Sequence, residues 1–141
     1  MLEIHGNLWD YLGRAVIGIT TGGQLSREGT CLMLRGCAAQ ARERFPDLPK
    51  ILGNLIRERG NHVFYLGEGI FSFPVENGPF EVPDNRLIER SCRELVALAD
   101  ARGWPEVILP RPGCGTGGLE WSSVRPILKG YFDHRFRIIS P

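Results

Sequence analysis

The chain has no excess of charge of either sign: 17 Lys and Arg stand against 16 Asp and Glu, a formal net charge of +1. A dedicated duplex-DNA binder needs a cation for each phosphate it neutralises, so this balance speaks against that class and leaves only a local basic patch open. Cysteine is sparse: Cys31, Cys37, Cys92 and Cys114 form no C-x-x-C pair, and His5, His62 and His134 stand at no zinc-tethering spacing. No metal and no cofactor are expected, and scattered thiols suit a reducing compartment. Long apolar runs are missing too. The longest, Ala15-Val16-Ile17-Gly18-Ile19, is far short of the ~20 residues that span a bilayer. Met1 to Gly6 has neither the positive start nor the apolar stretch of a secretory signal. The expectation is a cytoplasmic protein with no membrane partner.

What is present is an ordinary globular composition, 43% hydrophobic and 23% charged over 141 residues, of a size to form one domain over 1–141. Leu2-Glu3-Ile4-His5 alternates as a short strand, and Ala15 to Thr20 reads as a strand covered on both faces. Leu34, Cys37, Ala38, Ala41 and Phe45 recur at helical spacing before Pro46, and a second helix runs from Lys50 to Arg59. Val63 to Leu66 and Ile70 to Phe73 read as strands about the turn Gly67-Glu68-Gly69. Asp84 to Arg102 is the clearest helix, with Asp84 placed to cap it and Gly103 to end it. Val107 to Leu109 is a buried strand, and a last helix carries Val124, Ile127, Leu128 and Tyr131 on one face. Ser123 as its N-cap would leave Pro126 in the first turn, and Phe136 to Ile139 is the final strand. Alternating strands and helices predict an α/β domain with a mixed, largely parallel sheet. Ligands of such sheets bind beyond the strands' carboxyl ends, which selects the loops Thr20–Gly36 and Arg111–Leu119.

The second loop holds Gly113-Cys114-Gly115-Thr116-Gly117-Gly118, four glycines in six residues between a strand and a helix. Glycines let backbone N–H groups converge without Cβ obstruction, which makes a phosphate nest; the alternative is a turn of purely structural use. Gly118 is followed by Leu119-Glu120 where a Walker A loop needs Lys-Ser/Thr. A phosphate here would be held by backbone, without a catalytic lysine or magnesium.

Several segments together resemble the macrodomain family of ADP-ribose-binding α/β/α modules. They are Gly6-Asn7-Leu8-Trp9, Ile19-Thr20-Thr21-Gly22-Gly23, Arg35-Gly36-Cys37-Ala38-Ala39-Gln40-Ala41 and Leu109-Pro110-Arg111-Pro112-Gly113-Cys114-Gly115, continuing to Gly118-Leu119-Glu120-Trp121. The likeness is greatest to the branch holding the terminal ADP-ribose protein glycohydrolase and the antitoxins that act on ADP-ribosylated DNA. It implies a three-layer α/β/α macrodomain whose partner is ADP-ribose or ADP-ribosylated protein or nucleic acid. By that resemblance Asn7 would hold the adenine amino group, although a strand-terminating role explains it equally. Thr21, Gly22, Gly23, Arg35, Gly36 and Cys37 would lie over the distal ribose and diphosphate. Gly113, Cys114, Gly115, Thr116, Gly117, Gly118 and Leu119 would cradle the phosphates.

The resemblance also implies a catalytic lysine on the first helix and an acid in the phosphate loop, positions held here by Arg42 and Gly117. Arginine stays protonated and glycine has no side chain, so a lysine–acid mechanism is not available at them. Arg42 could still stabilise a phosphate or sit on a solvated helix face. A water positioned between phosphate and ribose is the other hydrolytic route, open to an ADP-ribosyl hydrolase or an ADP-ribose 1''-phosphate phosphatase; a reader without turnover is the alternative. The carboxylates near the candidate loops are Asp10, Glu28, Glu43 and Glu120, and spacing singles out none of them. Trp9, Trp104 and Trp121 read as packing residues, as do Phe132 and Phe136. Cys114, among amides at a helix start, is a position where a thiol pKa can fall.

Overall fold

The structure, a computed structural model, describes residues 1–78 and 81–141. Its elements are β1 (Leu2–His5), a 3-10 turn (Leu8–Tyr11), β2 (Val16–Thr21), α1 (Gly36–Arg44), α2 (Leu48–Arg59), β3 (Tyr65–Gly67), β4 (Ile70–Pro74), α3 (Asn85–Arg102), β5 (Val107–Pro110), α4 (Trp121–Lys129) and β6 (Phe136–Ser140). The sheet order is β1-β6-β5-β2-β4-β3, parallel throughout except for β3, which pairs antiparallel with β4.

Alternation along the strands feeds two cores, one on each face of the sheet. Phe71 and Phe73 of β4, Val107 and Leu109 of β5, and Phe136 and Ile138 of β6 pack with Ile88, Cys92 and Leu95 of α3 and Val124 and Leu128 of α4. Ile17, Ile19, Ile70, Ile108 and Ile139 point the other way, onto Ala38 and Ala41 of α1 and Leu48, Leu52 and Ile56 of α2. The result is three layers. Gly18 sits within β2 because a Cβ there would lie 2.4 Å from the Phe71 ring and 2.8 Å from Leu109. Asp84 caps α3 by accepting from the Arg86 amide at 2.8 Å, and Gly103 ends it in the left-handed region at φ +66°.

Three expectations from the sequence need correction. Val63 and Phe64 precede β3 rather than belonging to it. Their amides donate to side chains, Val63 N to Glu94 Oε1 at 3.0 Å and Phe64 N to Ser72 Oγ at 3.0 Å. α4 starts two residues before Ser123, with Glu120 as N-cap, so Pro126 falls in the second turn. Its missing N–H deprives only the carbonyl of exposed Ser122, which water can serve. Leu34 lies two residues ahead of the α1 N-terminus at Gly36, so the helical spacing that includes it does not apply, and it is 51% exposed.

From β2 the chain moves outward to β4, and from β5 it moves the opposite way to β6. The β2/β5 boundary is therefore the switch point where open α/β sheets bind ligands. Their ladder pairs only Val16 with Val107 and Ile17 with Ile108, although β2 runs on to Thr21 and β5 to Pro110. The strands' carboxyl ends thus open a crevice, walled by the loop after β2 and the loop after β5.

Candidate functional site

Two clefts open along this crevice. The first, about 120 Å³, lies between the end of β2, the approach to α1, the end of β4 and the glycine loop. The second, about 410 Å³, lies between the glycine loop, the end of β6 and the start of α4. Arg111 and Gly115 belong to both, so the clefts meet at the glycine loop.

Two short turns shape that loop. Cys114 N donates to Arg111 O at 3.3 Å, Gly118 N to Gly115 O at 3.3 Å, and Leu119 N closes back on Gly113 O at 2.9 Å. Among the described residues nothing accepts the amides of Gly115, Thr116 or Gly117, and these three line the first cleft. Consecutive unengaged amides form a concave anion site. Gly113 needs φ +73°, and a Cβ there would lie 2.9 Å from Leu119 Cδ1. At Gly117 a Cβ would be 2.6 Å from both Gly113 O and Pro83 Cγ, so no side chain fits. Nothing lies within 4 Å of a Cβ at Gly115, which faces open space.

Across the first cleft stands the N-terminus of α1, whose N-cap Arg35 makes no side-chain capping bond. Gly36 and Ala38 of its first turn line the cleft, and the first-turn amides carry the helix's partial positive charge toward it. Cys37 turns aside. Its Sγ accepts from Thr20 N and contacts Thr20 Oγ1, both at 3.4 Å, tying α1 to the end of β2.

The residue that sequence reasoning missed is Glu76, just past β4. It lines the first cleft, its side chain is 14% exposed, and Oε1 lies 3.8 Å from the Arg35 guanidinium. Burial pushes its carboxyl above the ordinary range; Arg35 opposes this and Glu81 adds to it. Gly22 has a Cβ direction only 3.3 Å from Glu76 Cγ. Gly23 faces Asn61 at 2.9 Å, and Asn61 Nδ2 donates to Glu76 O at 3.1 Å. The two glycines thus make room for these side chains. The one available signal was an acidic residue two positions after an apolar strand.

The second cleft is walled by Trp121, Leu119, Cys114 and Ile139, with Glu120 at its edge. Trp121 is partly buried: it packs against the core, as expected, and also lines the cleft. Its Nε1 donates to Glu3 Oε1 at 3.0 Å, and the Arg111 guanidinium lies over its ring at 4.8 Å. A hydrogen bond from Arg125 to Glu3, at 2.8 Å, holds that carboxyl below the ordinary range.

Of the residues selected from sequence, Thr21, Gly22, Arg35, Gly36, Gly113, Gly115, Thr116 and Gly117 meet in the first cleft, and Cys114, Gly115 and Leu119 in the second. Gly23, Cys37 and Gly118 line neither cleft. Asn7 lines neither cleft. It follows β1, and its Oδ1 accepts from Trp9 N at 3.0 Å, capping the 3-10 turn. Arg42 is exposed and lines neither cleft, because six residues along α1 carry it ~9 Å from the end that faces the crevice. Of Asp10, Glu28, Glu43 and Glu120, only Glu120 reaches a cleft, the second. The Cys114 thiol is raised rather than lowered, because burial outweighs the pull of Arg111. Phe132 and Phe136 are buried and stacked at 4.4 Å, within the core.

Architecture and crevice together define the class: the chain has the macrodomain fold. It superimposes on the macrodomain of Thermus aquaticus DarG with a TM-score of 0.81 at 20% identity, covering 99% of this chain and 97% of that one. The macrodomain of Mycobacterium tuberculosis DarG gives 0.79 at 21%, covering 99% and 98%. Thermosipho africanus DarTG, solved in complex with ADP-ribose, gives 0.77 at 21%, covering 96% of this chain and 40% of that one. No protein-family profile and no curated protein matches the sequence.

Proposed function

We propose that this chain binds ADP-ribose, free or as the end group of a modified protein or nucleic acid. The observation that carries the reading is the row of amides at Gly115, Thr116 and Gly117 that no described residue accepts from, set opposite the start of α1 where two clefts meet. A diphosphate fits those amides and Arg111 between the clefts. The distal ribose takes the first cleft, beside Thr21, Gly22, Arg35 and Gly36. The adenosine takes the second, against Trp121 and Leu119. Asn7 marks the adenine end: β1 pairs with β6, and Gly6 N donates to Ser140 O, which borders the second cleft. The ADP-ribose held by Thermosipho africanus DarTG, a similar fold, supports the same ligand here.

Calorimetric titration with ADP-ribose, AMP and NAD tests this. Binding of ADP-ribose well above AMP is expected, since AMP leaves the first cleft empty. Equal affinities would reduce the chain to a generic nucleotide binder. NAD, which carries nicotinamide on the distal ribose, reports how far the first cleft tolerates a substituent there.

A further inference from the structure

We propose that Glu76 is the general base of a hydrolase, activating water against the anomeric carbon of a bound ADP-ribosyl group. This rests on the ADP-ribose reading above and adds to it a reaction and the residue that performs it.

Glu76 is the only carboxylate lining the first cleft among the described residues. The backbone from Pro74 to Glu76 is held by four hydrogen bonds. Val75 N donates to Thr21 O at 2.9 Å, Asp84 N to Val75 O at 2.9 Å, Asn61 Nδ2 to Glu76 O at 3.1 Å, and buried Ser91 Oγ to Pro74 O at 2.6 Å. An acidic side chain so placed, mostly buried and facing a cleft, is not a solvated surface charge. The Arg35 guanidinium keeps its carboxylate oriented, and Gly22 admits its stem. A base held in advance loses little freedom when it acts.

The step balances as follows. A water oxygen bonds to the anomeric carbon while Glu76 takes one proton from that water. The electron pair of the bond between that carbon and the leaving oxygen goes to the leaving oxygen, which departs as an anion. Glu76 then returns its proton to bulk water. The other ionisable side chains lining this cleft are Arg35 and Arg111, and a guanidinium does not serve as a general acid. The site therefore has a base and no acid, and its substrates are ADP-ribosyl groups whose leaving atom needs no proton, such as esters of carboxylates or phosphates. Nitrogen-linked adducts with basic leaving groups are excluded.

The test uses para-nitrophenyl ADP-riboside, whose leaving group departs as a phenolate, beside ADP-ribosyl-agmatine, whose leaving group is a guanidine. The wild-type chain should turn over the first and not the second. E76Q should lower kcat on the order of 100-fold or more, with ADP-ribose affinity within a few-fold of wild type. Wild-type kcat should rise with pH as Glu76 ionises, and the E76Q profile should be flat. Burial, Arg35 and Glu81 act on the carboxyl and set where that rise falls, while Asn61 holds the Glu76 backbone carbonyl. In E76A, formate should restore part of the rate, which a merely structural residue would not permit. Loss of ADP-ribose binding by the wild type would remove the binding reading itself. Binding with no wild-type turnover, or an E76Q rate equal to wild type, would overturn the role of Glu76 and leave the binding site standing. Comparable cleavage of ADP-ribosyl-agmatine would overturn the restriction to anionic leaving groups.

Discussion

The two walls of the crevice are built on opposite principles. The wall after β2 is held from outside. Cys31 and Met33 are each 2% exposed in the core, Cys31 N donates to Pro49 O at 2.8 Å, and Leu32 N to Gln24 O at 2.9 Å. α2 packs so closely on it that a Cβ at Gly53 would lie 2.1 Å from Gly29 O. Burial also pushes the Cys31 thiol up to about 12, so it stays protonated as part of the packing. The wall after β5 is shaped by its own turns, and of its glycines Gly113 and Gly117 press against described neighbours while Gly115 and Gly118 do not. A glycine in the first wall's support serves stability, while one at the tip of the second keeps space for a ligand.

That contrast can be broken most sharply at Gly115. Gly115→Val should abolish ADP-ribose binding and shift stability by no more than about 0.5 kcal/mol, since the side chain enters open space. A thermal melt beside a titration reads both, and a folded variant with wild-type affinity would sink the phosphate site. Next comes Gly53→Ala, which forces α2 off the loop. It should cost about 3 kcal/mol in denaturant unfolding, with Gly117→Ala close behind, because the atoms in the way are backbone and proline. If Gly53→Ala melted like wild type, the first wall would not be held by that contact. Asn7→Ala should weaken ADP-ribose by about 1–2 kcal/mol if its amide meets adenine, and should also lose the turn cap. Unchanged affinity in a folded variant removes Asn7 from the site. The smallest effect belongs to Arg42→Lys, expected to leave affinity and turnover unchanged; a rate gained by that single change would show that α1's exposed face takes part after all.

The same division decides what could be read from the residues alone. Local rules reached β1 to its last residue, α3 with both caps, and the glycine loop, since alternation, Asp84, Gly103 and glycine density are written in consecutive positions. They failed where a distant partner intervenes. Glu94 and Ser72 take the amides of Val63 and Phe64, so β3 starts late. Glu76 stayed hidden because its surroundings come from Gly22, Arg35 and Asn61, three separate stretches that only the folded sheet brings together. Trp121 packs as its sequence reading expects, and its second role, lining the cleft, was not legible because Glu3 and Arg111, which set its ring there, are far from it in sequence or across a turn.

The wedge of Gly117 between Gly113 and Pro83 limits what substitution can do to this protein. An aspartate there would need Pro83 trimmed, yet the Gly113 carbonyl would still stand 2.6 Å from its Cβ. Because a main-chain atom cannot be mutated away, these positions are epistatic as a block. A catalytic acid cannot enter at Gly117 by one substitution, so a single-residue lineage leading out of this sequence keeps that position as backbone cradle and must place its acid or base elsewhere, at the open Gly115 of the same loop or on another wall.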